Sequence, residues 1–137
     1  SLLAPFECLC GNFILPEPAS YVFFYAFSNL RNLLYIIPAS RPVIAAKRDN
    51  MDEYDTIFVG FPIWWYIAPT IINTFLESYN LKGKTVITFA TSGGSGMGKT
   101  NEKLTPSCPG AKLLHGKVFN SYSSKADLSA WVETISL

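Results

Sequence analysis

A chain of 137 residues, 49% hydrophobic and only 15% charged, has the length and the apolar content to bury a real core and is not a disordered segment. The formal net charge of +1 contains no block of like charge, so the electrostatic footprint of a nucleic-acid binder or a polybasic membrane anchor is missing. Cys8, Cys10 and Cys108, with His115 as the only histidine, lack zinc-site spacing, so the expectation is no metal and reduced thiols in a cytoplasmic protein.

Along the first forty residues the pattern is mixed. No basic start precedes an apolar run, which leaves a secretory signal unsupported. The most apolar stretch, Tyr21 to Ile37, is broken by Asn29, Arg31 and Asn32 and falls short of a membrane span. Tyr21 to Phe27 and Leu33 to Ile37 each read as a strand. Only five residues separate them, whereas neighbouring parallel strands need a crossover of roughly a dozen or more. A hairpin, a single helix and an irregular segment all remain compatible with this stretch.

From about Ser40 the reading sharpens. Thr56 to Phe61 is a short apolar run rich in β-formers and ended by Pro62, the mark of a strand covered on both faces. Pro69 opens a helix whose Ile71, Ile72, Phe75 and Leu76 fall on one stripe, and Leu81 to Lys84 turns the chain. Thr85 to Ala90 is a second buried strand, followed by the glycine-rich loop Thr91 to Gly98. A short helix is expected around Lys99 to Leu104, stopped by Pro106, then a weaker strand within Ala111 to Phe119, interrupted at Gly116. Ser124 and Asp127 have capping-box spacing ahead of Leu128, Trp131, Val132 and Ile135, which repeat as one helical face. Alternating strands and helices predict one α/β domain over 1–137, doubly wound around a parallel sheet.

Two loops carry the candidate chemistry. Gly93 to Thr100 matches the phosphate-cradling pattern G-x-x-x-x-G-K-[ST] between a strand and a helix, which would put Lys99 on phosphates and Thr100 on magnesium. No buried strand ends in the Asp that such a site needs, so a nucleotide triphosphatase ranks last. The bland alternative is a glycine turn that merely caps the sheet. The second loop, Phe61 to Tyr66, places Trp64, Trp65 and Tyr66 in succession. Either one ring packs inward and the others cover a helix end, or at least one lines a cleft for a flat apolar ligand. Both loops leave the carboxyl edge of a parallel sheet, where ligands of open α/β folds bind. Aromatic walls facing small residues with backbone N–H groups suit a planar ring with polar edges.

Ser40 to Pro42, Asp52 to Asp55, Gly60 to Trp65, Pro69 to Tyr79, Gly83 to Thr85 and Thr91 to Gly96 together resemble the flavodoxin family, with looser likeness at Gly116 to Asn120 and Leu128 to Val132. The closest likeness is to a bacterial branch with a Gly-Phe/Tyr-Pro-Ile-Trp-Trp loop and a Thr-Ser-Gly-Gly-Ser-Gly loop. The resemblance implies a flavodoxin-like three-layer sandwich, bound flavin mononucleotide (FMN) and electron transfer. It makes Pro62, Ile63, Trp64, Trp65 and Tyr66 one wall of the flavin ring. It also makes Thr91, Ser92, Gly93, Gly94, Ser95 and Gly96 donors of backbone N–H groups to the ring's pyrimidine edge. No side chain is required as acid or base. The family's phosphate loop, typically Thr-Gly-Asn-Thr before a long helix, has no counterpart between Tyr21–Ser28 and Leu33–Pro38. There Asn29, Leu30, Arg31 and Asn32 stand instead, Arg31 being one candidate donor. The expected role is an electron carrier serving redox partner proteins or a small acceptor. An FMN-dependent NAD(P)H:quinone oxidoreductase and a flavin-free remnant of the fold are the alternatives.

Overall fold

The computed structural model describes residues 21–25, 39–44, 47–120 and 122–135. Strand β1 (Tyr21–Tyr25) is followed by β2 (Thr56–Pro62), helix α1 (Ile71–Glu77), β3 (Thr85–Thr91), α2 (Thr100–Leu104), β4 (Lys112–Phe119) and α3 (Lys125–Glu133). The four strands form one parallel sheet in the order β1-β2-β3-β4. Tyr21 pairs with Thr56, Thr56 with Thr85, and Thr85 with Lys112, so all four strands end along one edge. The expected strand at Leu33 to Ile37, Arg31 and the whole linker between the two N-terminal strands lie outside the described residues, as do Cys8 and Cys10.

Side-chain alternation explains the layers. Ile57, Val59 and Phe61 of β2 and Val86 and Ala90 of β3 face one way, onto Ile72, Phe75 and Leu76 of α1 and Leu104 of α2. Phe58, Ile87 and Phe89 face the other way, onto Leu128 and Trp131 of α3. The Trp131 ring meets Phe58, Phe89 and Phe119 at centroid distances of 5.9, 6.0 and 5.4 Å, in edge-to-face or tilted geometry. Helices therefore cover both faces, and β2 and β3 read as continuous apolar runs for that reason. Ser124 caps α3 as its spacing predicts: its hydroxyl accepts the Asp127 N–H, and the Asp127 carboxylate accepts from the Ser124 backbone at 2.7 Å. Hydrogen bonds from the Ser124 backbone N–H and, at 2.8 Å, from its hydroxyl hold the Asp127 carboxyl below its ordinary range.

Three elements differ from the sequence reading. Strand β4 is continuous, because the interruption at Gly116 is a bulge: His115 and Gly116 together oppose Thr88. Pro69 stands ahead of α1 rather than in its first turn, its carbonyl accepting the Ile72 N–H at 3.0 Å. Pro106 does not simply stop α2 but sits in a 3-10 turn, Thr105–Ser107, that prolongs it.

A polar chain ties this side together. Arg41 Nε donates to Glu77 at 2.9 Å, Ser107 Oγ donates to Glu77 Oε1 at 2.7 Å, and Asn73 Nδ2 donates to Ser107 Oγ at 2.9 Å. Partial burial pushes the Glu77 carboxyl up. The hydrogen bonds from Arg41 and Ser107 and the guanidinium charge outweigh that, leaving it below its ordinary value. No helix among the described residues is long and apolar enough to cross a membrane.

Candidate functional site

The two loops singled out in the sequence leave adjacent strands, β2 and β3, whose last residues Pro62 and Thr91 pair. The Ile63 N–H continues that pairing by donating to the Thr91 carbonyl at 2.9 Å. Beyond it the aromatic loop folds on itself. The Trp64 N–H donates to the Ile67 carbonyl at 3.0 Å and the Ile67 N–H returns to the Trp64 carbonyl at 3.1 Å. The two residues between them, Trp65 and Tyr66, both have positive φ, 50° and 67°. This is the geometry of a type I′ turn, which ordinarily recruits Asn-Gly. Bulky residues are rare there, because a left-handed backbone costs a residue with a Cβ about 1–2 kcal/mol. The rings gain little from the protein in return: Trp65 is 77% exposed and Tyr66 70%.

The opposite wall is shaped by Ser92. Its hydroxyl accepts the N–H groups of Gly94 and Ser95, at 3.2 and 2.9 Å, and lies 2.8 Å from the Ser95 hydroxyl. A serine folding back on the next turn is common loop chemistry, and here it shapes the glycine loop from within. It also alters the expected donor set. The Gly94 and Ser95 N–H groups are engaged by Ser92, whereas those of Gly93 and Gly96 meet no acceptor among the described residues. At its far end the loop enters α2, where buried Asn101 accepts from the Thr88 hydroxyl at 2.9 Å and donates to the Leu114 carbonyl at 3.1 Å.

Ile63, Trp65, Tyr66, Ser92, Gly93, Gly94 and Ser95 line one open cleft of about 380 Å³ between the loops. That volume falls in the range of about 300–1,000 Å³ usual for small-molecule sites. The other four residues named from sequence border the cleft without lining it. Pro62 and Thr91 are strand ends, Trp64 is half-buried at the base of its turn, and Gly96 lies farther along the exposed loop. Among the described residues, the lining carries no carboxyl, amine or imidazole. Sequence reasoning passed over Ser92 as an organiser of the loop. It also passed over Gly98, where a Cβ would stand 2.7 Å from the Tyr66 carbonyl oxygen. A hydroxyl two residues before Gly94 was the available signal for the first. The second is a contact between residues 32 apart in the chain, and no local pattern reveals it.

The triphosphate reading fails on geometry. Thr100, which would have to reach magnesium, is wholly buried, and its hydroxyl meets no partner among the described residues. A metal ion bound to phosphates in the cleft could not touch it.

The sequence profile of the family described as flavodoxin matches residues 34–135. A candidate flavoprotein from Bacteroides eggerthii is similar in structure with a TM-score of 0.65 and is 42% identical, over 74% of this chain and 63% of that one. A second, from Bacteroides uniformis, has a TM-score of 0.65 and 43% identity, over 72% of this chain and 62% of that one. The chain thus spans about three fifths of the length of these two relatives. No curated protein sequence matches.

Proposed function

The chain belongs to the flavodoxin family, and from that premise we propose that it holds flavin mononucleotide in the cleft between the aromatic turn and the glycine loop and carries electrons on it. The observation that carries the proposal is the pair of exposed aromatic rings held in strained backbone conformations opposite a loop with free N–H groups. Such strain persists where the surroundings or a ligand over-determine it, and it clusters at binding sites. A planar tricyclic ring laid against Trp65 or Tyr66 would bury surface the protein leaves in water, each stacked pair adding about 0.5–1.5 kcal/mol beyond burial.

The bound flavin would supply the redox chemistry, taking up and releasing electrons. Trp65, Tyr66 and Ile63 would hold the ring flat and keep water from one of its sides. Gly93 is the lining residue whose backbone N–H would be available to its polar edge, and Ser92 keeps the neighbouring residues in the loop shape that presents it. The uncharged lining leaves proton transfer to solvent or to the partner. The acceptor would be a redox partner protein or a small molecule, and the expected compartment is the cytoplasm.

The test is an absorbance spectrum of the purified protein followed by titration with FMN. The expected result is a flavin band and quenched flavin fluorescence, with binding weakened at least tenfold, about 1.4 kcal/mol, by Trp65→Ala with Tyr66→Ala. No binding by the wild-type chain would return the flavin-free remnant as the better reading. Turnover of reduced nicotinamide with a quinone would favour the oxidoreductase.

A further inference from the structure

We propose that Gly98 is the positioning residue that sets the width of the cleft, its bare Cα acting as a stop against the Tyr66 carbonyl. The consequence for binding rests on the flavin proposal above, whereas the contact itself does not.

Four glycines lie in the loop, and they are not equivalent. A Cβ built on Gly93, Gly94 or Gly96 meets nothing within 4 Å. At Gly98, with φ of 53°, it would stand 2.7 Å from the Tyr66 carbonyl oxygen and 3.7 Å from the Tyr66 carbonyl carbon and Cβ. Gly98 is therefore where the backbone of one wall rests on the backbone of the other. Neither side of the contact gives way easily. Tyr66 sits inside a turn closed by two hydrogen bonds between Trp64 and Ile67. Gly98 leads directly into α2, whose Asn101 is pinned to Thr88 of β3 and Leu114 of β4.

A side chain at position 98 would have to move one wall. Ordinary contact begins near 3.4 Å, so the retreat is about 0.7 Å. A gap of about 0.5–1 Å already forfeits a quarter to a half of a dispersion contact. A flat ring gripped from one side by Trp65 and Tyr66 and from the other by the glycine loop would lose hold of one of them.

The experiment compares Gly98→Asn with Gly83→Asn. Both glycines have positive φ, 53° and 80°, which asparagine tolerates better than other residues, but Gly83 has nothing within 4 Å. The two variants thus match in backbone strain and differ in the contact. Gly98→Asn is expected to bind FMN at least tenfold more weakly than wild type, and to leave the bound flavin less quenched even at saturation. Gly83→Asn should match wild type in both. In flavin-free protein, chymotrypsin should cut after Trp65 and Tyr66 several-fold faster in Gly98→Asn than in Gly83→Asn. Equal cutting rates, or wild-type affinity and quenching in Gly98→Asn, would overturn the assignment. If wild type takes up no flavin, the functional proposal falls and the protease comparison still decides the contact. Should Gly98→Asn fail to fold, Gly98→Ala against Gly83→Ala carries the same comparison.

Discussion

A methyl group on residue 116 would lie 1.1 Å from the Thr88 carbonyl oxygen, deep inside its van der Waals radius. The bulge in β4 brings the two backbones together there, and only a residue without a side chain fits. Gly116→Ala is therefore expected to cost about 3 kcal/mol or more, because β3 and β4 must separate to admit it. Urea denaturation measures this, and native stability in the variant would mean the two strands do not hold this register. The same glycine shows what a sequence hides at this scale. It reads as a break in a weak strand, because a bulge and a break look alike until the neighbouring strand is known. Ser124 and Asp127 were legible because every partner of a capping box lies within three residues.

At the scale of the element, the turn from Trp64 to Ile67 sets stability against use. Two bulky residues occupy left-handed positions that Asn and Gly fill with less strain, and their rings stay largely in water. Trp65→Asn combined with Tyr66→Gly should stabilise the free protein by about 1–2 kcal/mol while removing flavin binding. Thermal unfolding and FMN titration on the same samples test both halves. A double variant that is less stable would show that the rings serve the fold. Strands β2 and β3 were readable as elements because burial on both faces makes them continuously apolar. The turn type was not, since Trp-Tyr is the opposite of what that backbone ordinarily selects. The approach of Tyr66 to Gly98 was also beyond a reading confined to neighbours in the chain.

Across the whole molecule, the polar chain through Glu77 joins the 39–44 segment, α1 and the turn after α2. The Glu77 carboxyl titrates below its ordinary value of 4.5 in the folded protein, so the stability it adds is present above that pH and is lost as pH falls through the folded value. Glu77→Gln should lower the melting temperature by about 2 °C at pH 7, a small effect because Arg41 and Glu77 are both partly in solvent. The gap between the two proteins should close toward pH 3, and a gap that widens in acid would contradict this account. The parallel sheet and its two helical layers were foreseeable from the alternation of strand and helix signals. Which loop contacts knit them together depends on tertiary approach, and so was not.

The assignment of one sheet face to α3 has a bearing on biosynthesis. Among the described residues, α3 is the helix that covers Phe58, Ile87 and Phe89, yet it follows the last of them by more than thirty positions. Until α3 is made, the described residues offer no helix to cover that apolar side. A chain cut before Leu128 would leave that surface exposed, and the expected product aggregates rather than forming a smaller working domain.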